Sequence, residues 1–355
     1  MKDPEGQTHT SSTREYYRQR MTPLKVIYTG LVLTVILVII TIISLSMGPA
    51  KISLKDVCYY LLGYTSIDQT TWMILFKIRL PRILLAGLVG FTLSLGGVVF
   101  QALLRNPLAE PFILGISSGA AVGAIIGIVF GLGFSFGVPL LSFMGALFTI
   151  LLVMGISSRH GGLESSTLLL TGVIINAFFT AIIMFFISIT SDSRLHSILF
   201  WLYGDLSQSK YIHLSISLPF ILIISGIIYI FSRHLNLIVG GEDAALQMGV
   251  EVELLKWISF LGISLTIGIV VSFSGIIGFV GLIVPHMMRM ILGPDHRLLI
   301  PATALGGAIF LIAADTVART IISPSELPVG VITAFLGAPF FIYLLKARGS
   351  KWTQS

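Results

Sequence analysis

Residues 79–104 read RLPRILLAGLVGFTLSLGGVVFQALL. After Arg82 the stretch holds no Asp, Glu, Lys or Arg, and leucine, valine, glycine and phenylalanine fill most positions. A bilayer core about 30 Å thick is crossed by about 20 apolar residues in helix, each rising about 1.5 Å. In lipid, a helix satisfies every backbone group within its own segment. The stretch therefore reads as a transmembrane helix with two arginines at its mouth.

Working outward, the same pattern recurs. Apolar runs near 24–47, 111–131, 136–156, 166–189, 211–232, 254–273, 276–292, 298–320 and 328–345 bring the count to ten spans. The run at 276–292 carries Pro285, His286 and Arg289 in its second half. Of the 355 residues 55% are hydrophobic and 11% charged, against about 25% charged in a soluble domain; lipid must be the main solvent. The expected fold is all-α and polytopic: an N-terminal tail 1–23, a membrane domain 24–346 and a tail 347–355. Short apolar pieces at 57–62 and 198–202, inside the polar segments 48–78 and 190–210, read as interfacial helices. No small-residue cleavage pattern follows the first run, so it is expected to be a retained helix. Cys58 stands alone and forms no internal disulfide.

Charge sets the orientation. With the N-terminus inside, 14 of the 22 Lys and Arg fall on the inner side, among them Arg105, Arg159, Arg233, Lys256, Arg289 and Arg297. Eight fall outside: Lys51, Lys55, Lys77, Arg79, Arg82, Arg194, Lys210 and Arg319. This bias places both termini in the cytoplasm. The net charge of +6 is thus a membrane signature and not one of nucleic-acid binding. Gly115, Gly119, Gly123 and Gly127 repeat every four residues, a face on which two helices can approach closely in lipid.

The sequence contains no G-x-x-x-x-G-K-[ST] and no Gly-Lys pair, so it binds no ATP through a P-loop. His286 and His296 lack partners at metal-ligand spacing, and neither a catalytic constellation nor a cofactor is expected. Asp315 is the main ionisable candidate within a span. It lies one turn before Arg319, where a local ion pair accounts for it. An ion-gradient-driven secondary transporter, the alternative function, would need a coupling group at membrane depth.

Segment 240–250 reads GGEDAALQMGV: short, helix-prone and bounded by glycines. Asp243-Ala244-Ala245, then three residues, then Gly249 resembles the "EAA…G" loop of binding-protein-dependent ABC permeases, with Asp243 in place of the usual Glu. Such a helix can lie in a groove of a soluble partner, with Gly249 permitting the left-handed turn that ends it. A plain helical linker is the competing reading.

The flanks carry a resemblance. Ile78-Arg79-Leu80-Pro81-Arg82, the run from Gly97 to Ala121 (GVVFQALLRNPLAEPFILGISSGAA), Leu235-Asn236-Leu237, GFVGLIVPH at 278–286 with Arg289, and ELPVG at 326–330 with LGAP at 336–339 are ordered motifs. They resemble the FecCD/BtuC-type permeases of vitamin B12, ferric-siderophore and haem ABC importers over about residues 77–346. The resemblance implies a type II ABC importer permease in the bacterial cytoplasmic membrane. It would pair with a second permease subunit, identical or paralogous, two cytoplasmic ATP-binding subunits and an extracytoplasmic substrate-binding protein. The implied cargo is an iron chelate, a ferric siderophore first, with haem and cobalamin open. Gly241, Glu242, Asp243, Ala244, Ala245 and Gly249 would contact the ATPase. Arg79, Arg82 and Arg319 would meet carboxylates of the binding protein, to which the fork of arginine is suited. Headgroup anchoring by snorkelling is the other reading, and for Arg319 the pair with Asp315 competes. Ser165 and Ser166 would form an inner gate, or equally a helix N-cap. Gln101 is expected to bond a neighbouring helix.

Overall fold

The computed structural model describes residues 22–50, 52–63, 68–159 and 162–348. The expected tails lie almost wholly outside the described residues. Fourteen helices follow in order: α1 (Pro23–Ser46), α2 (Leu54–Leu61), α3 (Gln69–Leu103), α4 (Ile116–Val129), α5 (Gly137–Ser157), α6 (Ser165–Ile189), α7 (Asp192–Leu202), α8 (Tyr211–Ile230), α9 (Ser232–Val239), α10 (Glu242–Gln247), α11 (Val252–Ser274), α12 (Val280–Leu292), α13 (His296–Thr320) and α14 (Val329–Arg348). Seven are long and apolar enough to cross a membrane; α4, α12 and α14 supply shorter apolar helices at the other three expected spans. The described residues are all-α apart from a two-residue antiparallel pair, Ser158–Arg159 with Gly162–Leu163. The short apolar pieces at 57–62 and 198–202 fall in or beside the short helices α2 and α7.

Three spans differ from their expected bounds; the third, expected at 111–131, is α-helical only over Ile116–Val129, after a 3-10 turn at Pro111–Leu114. The second begins ten residues early, at Gln69, and passes through a π-helical turn at Ile74–Arg79. Pro81 has no N–H to donate, and Leu80 N–H bonds the Leu75 carbonyl five residues back. Residues 69–78 belong to the segment 48–78 read as polar; the helix runs through them and on past Pro81 because the wider turn absorbs the missing donor. The eighth span is shorter than expected. The chain leaves α11 at Ser274, runs without helix over 275–279, and turns into α12 only after Phe279 adopts a positive φ of 68°.

The centre of the bundle is α3, most of whose apolar window is buried. It crosses α13 where Gly90 meets Gly307: a Cβ on Gly90 would fall 2.7 Å from the Leu311 Cβ and closer still to the Gly307 carbonyl. The glycine face of α4 packs on α5, Gly119 against Gly145 and Thr149, Gly123 against Leu141. In lipid such contacts draw on dispersion between close backbones. Gly115 leaves that stripe; it sits at φ +77° between the turn Pro111–Leu114 and α4. Helix α1 lies at the periphery and buries only Ser44 and Leu45, near its last turn.

Candidate functional site

Polar side chains gather at the two opposite ends of the bundle. At one end, α1 finishes, α3 enters its apolar stretch and α13 finishes. Asp315 on α13 is fully buried. Its Oδ1 accepts from Arg82 Nε at 2.9 Å, and its Oδ2 accepts from Arg319 Nε at 3.0 Å. Arg82 also donates to Glu326 Oε2 at 2.6 Å. Arg319 reaches Ser44 Oγ at 2.8 Å and the Met47 carbonyl at 3.1 Å. Arg79 donates to the carbonyls of Leu45 and Ala50. The last carbonyls of a helix lack intrahelical donors and carry partial negative charge, so Arg79 and Arg319 close the C-terminal end of α1.

The pair expected between Asp315 and Arg319 is present. Yet Arg79, Arg82 and Arg319, expected as a charged face for a partner, are buried, at 4%, 7% and 2% exposure. A bare guanidinium beside apolar helices is costly, and within this single subunit their donors go to groups of their own chain.

At the opposite end lies the expected coupling segment. Helix α10 opens after Gly241, at φ +129°, and closes at Gly249, at φ +82°. Gly249 N–H bonds the Leu246 carbonyl and Val250 N–H bonds that of Ala245. This is the Schellman geometry, with Ala245 and Val250 as its buried apolar contact. Glu242 and Ala244 are half-buried, whereas Asp243, Leu246, Gln247 and Met248 stand exposed. Leu246 and Met248, at 55% and 65% exposure, are the apolar side chains this helix offers outward.

Ser165 and Ser166 open α6 beside this segment, but neither is its cap residue, a position held by Glu164. Ser165 Oγ donates to the Leu103 carbonyl at 3.3 Å. Ser166 is exposed and donates to Glu164 Oε1 at 2.7 Å. Gln101 behaves as expected: its Oε1 accepts from Arg289 of α12 at 2.9 Å.

Three polar residues here were not singled out in the sequence as site residues. Lys256, read only as one of the inner basic residues, is buried and bonds Glu242 of α10. Glu110, quoted only within a motif, accepts from Phe279 N at 2.6 Å and so fixes the turn that starts α12. Asn236, also read only within a motif, donates to Asp295 at 3.0 Å and accepts from His296 N at 2.9 Å, tying α9 to the start of α13. Burial alone would raise the Asp295 carboxyl, but hydrogen bonds from Arg297 and Asn236 outweigh it and hold the group down at about 2. Among the described residues no three His, Cys, Asp or Glu side chains gather at metal-binding distance.

Comparison with known proteins gives a consistent result. The profile of the FecCD transport family matches residues 36–347, reaching into α1 beyond the motifs. The chain is 42% identical over 282 residues to the cobalamin import system permease protein BtuC of Halobacterium salinarum, covering 79% of this chain and 76% of that one. It is 39% identical over 317 residues to the hemin transport system permease protein HmuU of Yersinia pestis, covering 86% and 93%. Among solved structures, a metal-chelate type ABC transporter in an inward-facing conformation superposes with a TM-score of 0.80 at 35% identity, over 90% of this chain and 98% of that chain.

Proposed function

The chain belongs to the FecCD transport family and is a multi-pass ABC importer permease; from that premise we propose that it carries an iron chelate across the bacterial cytoplasmic membrane. A ferric siderophore is the first candidate, with haem and cobalamin as alternatives. The energy comes from ATP hydrolysed on two separate cytoplasmic subunits, and a second permease subunit completes the path.

The observation that carries this reading is α10. A six-residue helix between two spans, closed at both ends by glycines and offering Leu246 and Met248 outward, has the form of a helix that seats in a partner's groove. Gly241, Glu242, Asp243, Ala244, Ala245 and Gly249 form the docking element. Ser165 and Ser166 gate the path beside it, small hydroxyls closing a pore without leaving a charge in it. The basic residues on this side support a cytoplasmic position for it and for both termini. The binding protein docks at the opposite end. There Arg79, Arg82 and Arg319, which also hold the ends of α1, α3 and α13 in register, are the arginines that meet its carboxylates. Glu326, whose side chain keeps 33% exposure, is the charge of that network best placed to meet a partner.

The test uses cysteines at Asp243 or Gln247 in a Cys58→Ser background, co-expressed with the ATP-binding subunit. Cross-linking from both positions is expected, together with ATP-dependent uptake of radiolabelled ferrichrome in preference to haemin and cyanocobalamin. No cross-link from either position would overturn the docking role of α10. Preference for haemin or cyanocobalamin would move the cargo and leave the rest standing.

A further inference from the structure

Lys256 sits in the second turn of α11 and is 5% exposed, an unusual place for an ammonium group. Its Nζ donates to Glu242 Oε2 at 2.6 Å and to the Leu163 main-chain carbonyl at 3.1 Å, with Glu253 Oε1 at 3.9 Å. Glu253, one turn earlier, accepts from Leu163 N at 2.8 Å through its other oxygen. Both main-chain groups of Leu163 are therefore held by side chains of α11. Leu163 is the last residue of the short hairpin, paired with Ser158, and only Glu164 separates it from Ser165 at the head of α6.

We propose that Lys256 is a positioning residue that ties α10 to the hairpin in front of α6, so that movement of α10 is passed to Ser165 and Ser166. The inference deepens the functional reading above and rests on α10 being the ATPase contact and on these serines being the gate. The geometry suits a mechanical tie. A buried ammonium cannot exchange its partners for water at low cost, so Glu242 and Leu163 are held to one point. Glu242 is the first residue of α10 and the Leu163 carbonyl belongs to the neighbouring loop, so one cation joins two segments far apart in sequence. A lysine kept only for orientation in the membrane would project its charge to water; this one points inward and donates to two groups of its own chain. When the ATP-binding subunits close and draw α10 with them, Glu242 pulls on Lys256. Lys256 in turn pulls on the loop that sets the head of α6.

The test reads the gate directly and needs no cargo. Ser166→Cys in a Cys58→Ser background is labelled with a maleimide in the permease–ATPase complex, without nucleotide and after trapping with ATP and vanadate. Trapping is expected to change the labelling rate at least ~5-fold. Lys256→Met, which keeps the chain length and removes the charge, is expected to reduce that change to under ~2-fold while the ATPase still co-purifies and hydrolyses ATP. Lys256→Arg is expected to restore most of it. Should Lys256→Met fail to reach the membrane, Glu253→Ala, at a side chain with 49% exposure outside the docking element, removes the acceptor of Leu163 N, releases the hairpin end of the same tie and is expected to behave alike. A nucleotide response equal to that of the parent in Lys256→Met or Glu253→Ala would overturn the tie and leave docking and gate intact. No response in the parent complex itself would overturn the gate assignment, and the tie with it.

Discussion

Asp315 accepts from two guanidiniums and is fully buried. Removing one partner of a buried pair leaves an uncompensated charge and costs about 3–5 kcal/mol. Asp315→Asn would leave Arg82 and Arg319 facing each other, so thermal unfolding in detergent is expected to show a large loss. Glu326→Gln, at a side chain with 33% exposure, should lose under about 1 kcal/mol. Equal losses from the two would contradict the network. At the other end, Asp295 is held at about 2, below its ordinary 3.8. A depressed carboxyl contributes stability above its unfolded pKa and loses it as pH falls through the folded value. Denaturation midpoints between pH 4 and pH 2 should therefore fall in the parent and fall less in Asp295→Asn. The Asp315–Arg319 pair was legible because four residues on a helix bring side chains together. Arg82 meets Asp315 across 233 residues of chain, which no local pattern reveals. Lys256 reads in the sequence only as one more basic residue, because its partners Glu242 and Leu163 lie on two other segments.

Among the elements, the spans were legible because apolar length is a physical requirement of lipid. Their ends were less so: a proline beside basic residues signals a stop, and in α3 a π-helical turn carries the helix through it. Helix α10 was legible as a short element because its glycines mark its bounds, and Gly249 does adopt the left-handed conformation. A β-branched residue there is strained by about 1–2 kcal/mol. Gly249→Val is expected to leave membrane insertion intact and to lower transport-coupled ATP hydrolysis several-fold; unaltered hydrolysis would mean that the segment is only a linker. The glycine face of α4 makes a separate prediction. A Cβ at Gly119 would strike Thr149 and the Gly145 carbonyl, both on α5, so Gly119→Val should force the two helices apart. The expected readout is loss of folded protein by detergent-stable chromatography. Gly133, around which a Cβ meets nothing within 4 Å, should tolerate alanine.

For the whole molecule, the order of the helices places the arginine network and α10 at opposite ends, as ten alternating spans require. Cysteines near Lys55 and Lys210 should react with an impermeant maleimide added outside, and one at Glu242 should not. Labelling of Glu242 from outside would reverse the orientation and remove α10 from the ATPase. The central claim is that ATP hydrolysed on partner subunits drives import, in contrast to an ion-gradient carrier. The most direct measurement reconstitutes the permease with its ATP-binding subunits in liposomes, supplies the loaded binding protein at the arginine end, and follows ferrichrome accumulation. Accumulation should require ATP on the α10 side and persist when ionophores collapse every ion gradient. Accumulation driven by a proton or sodium gradient with no ATP present would contradict the account.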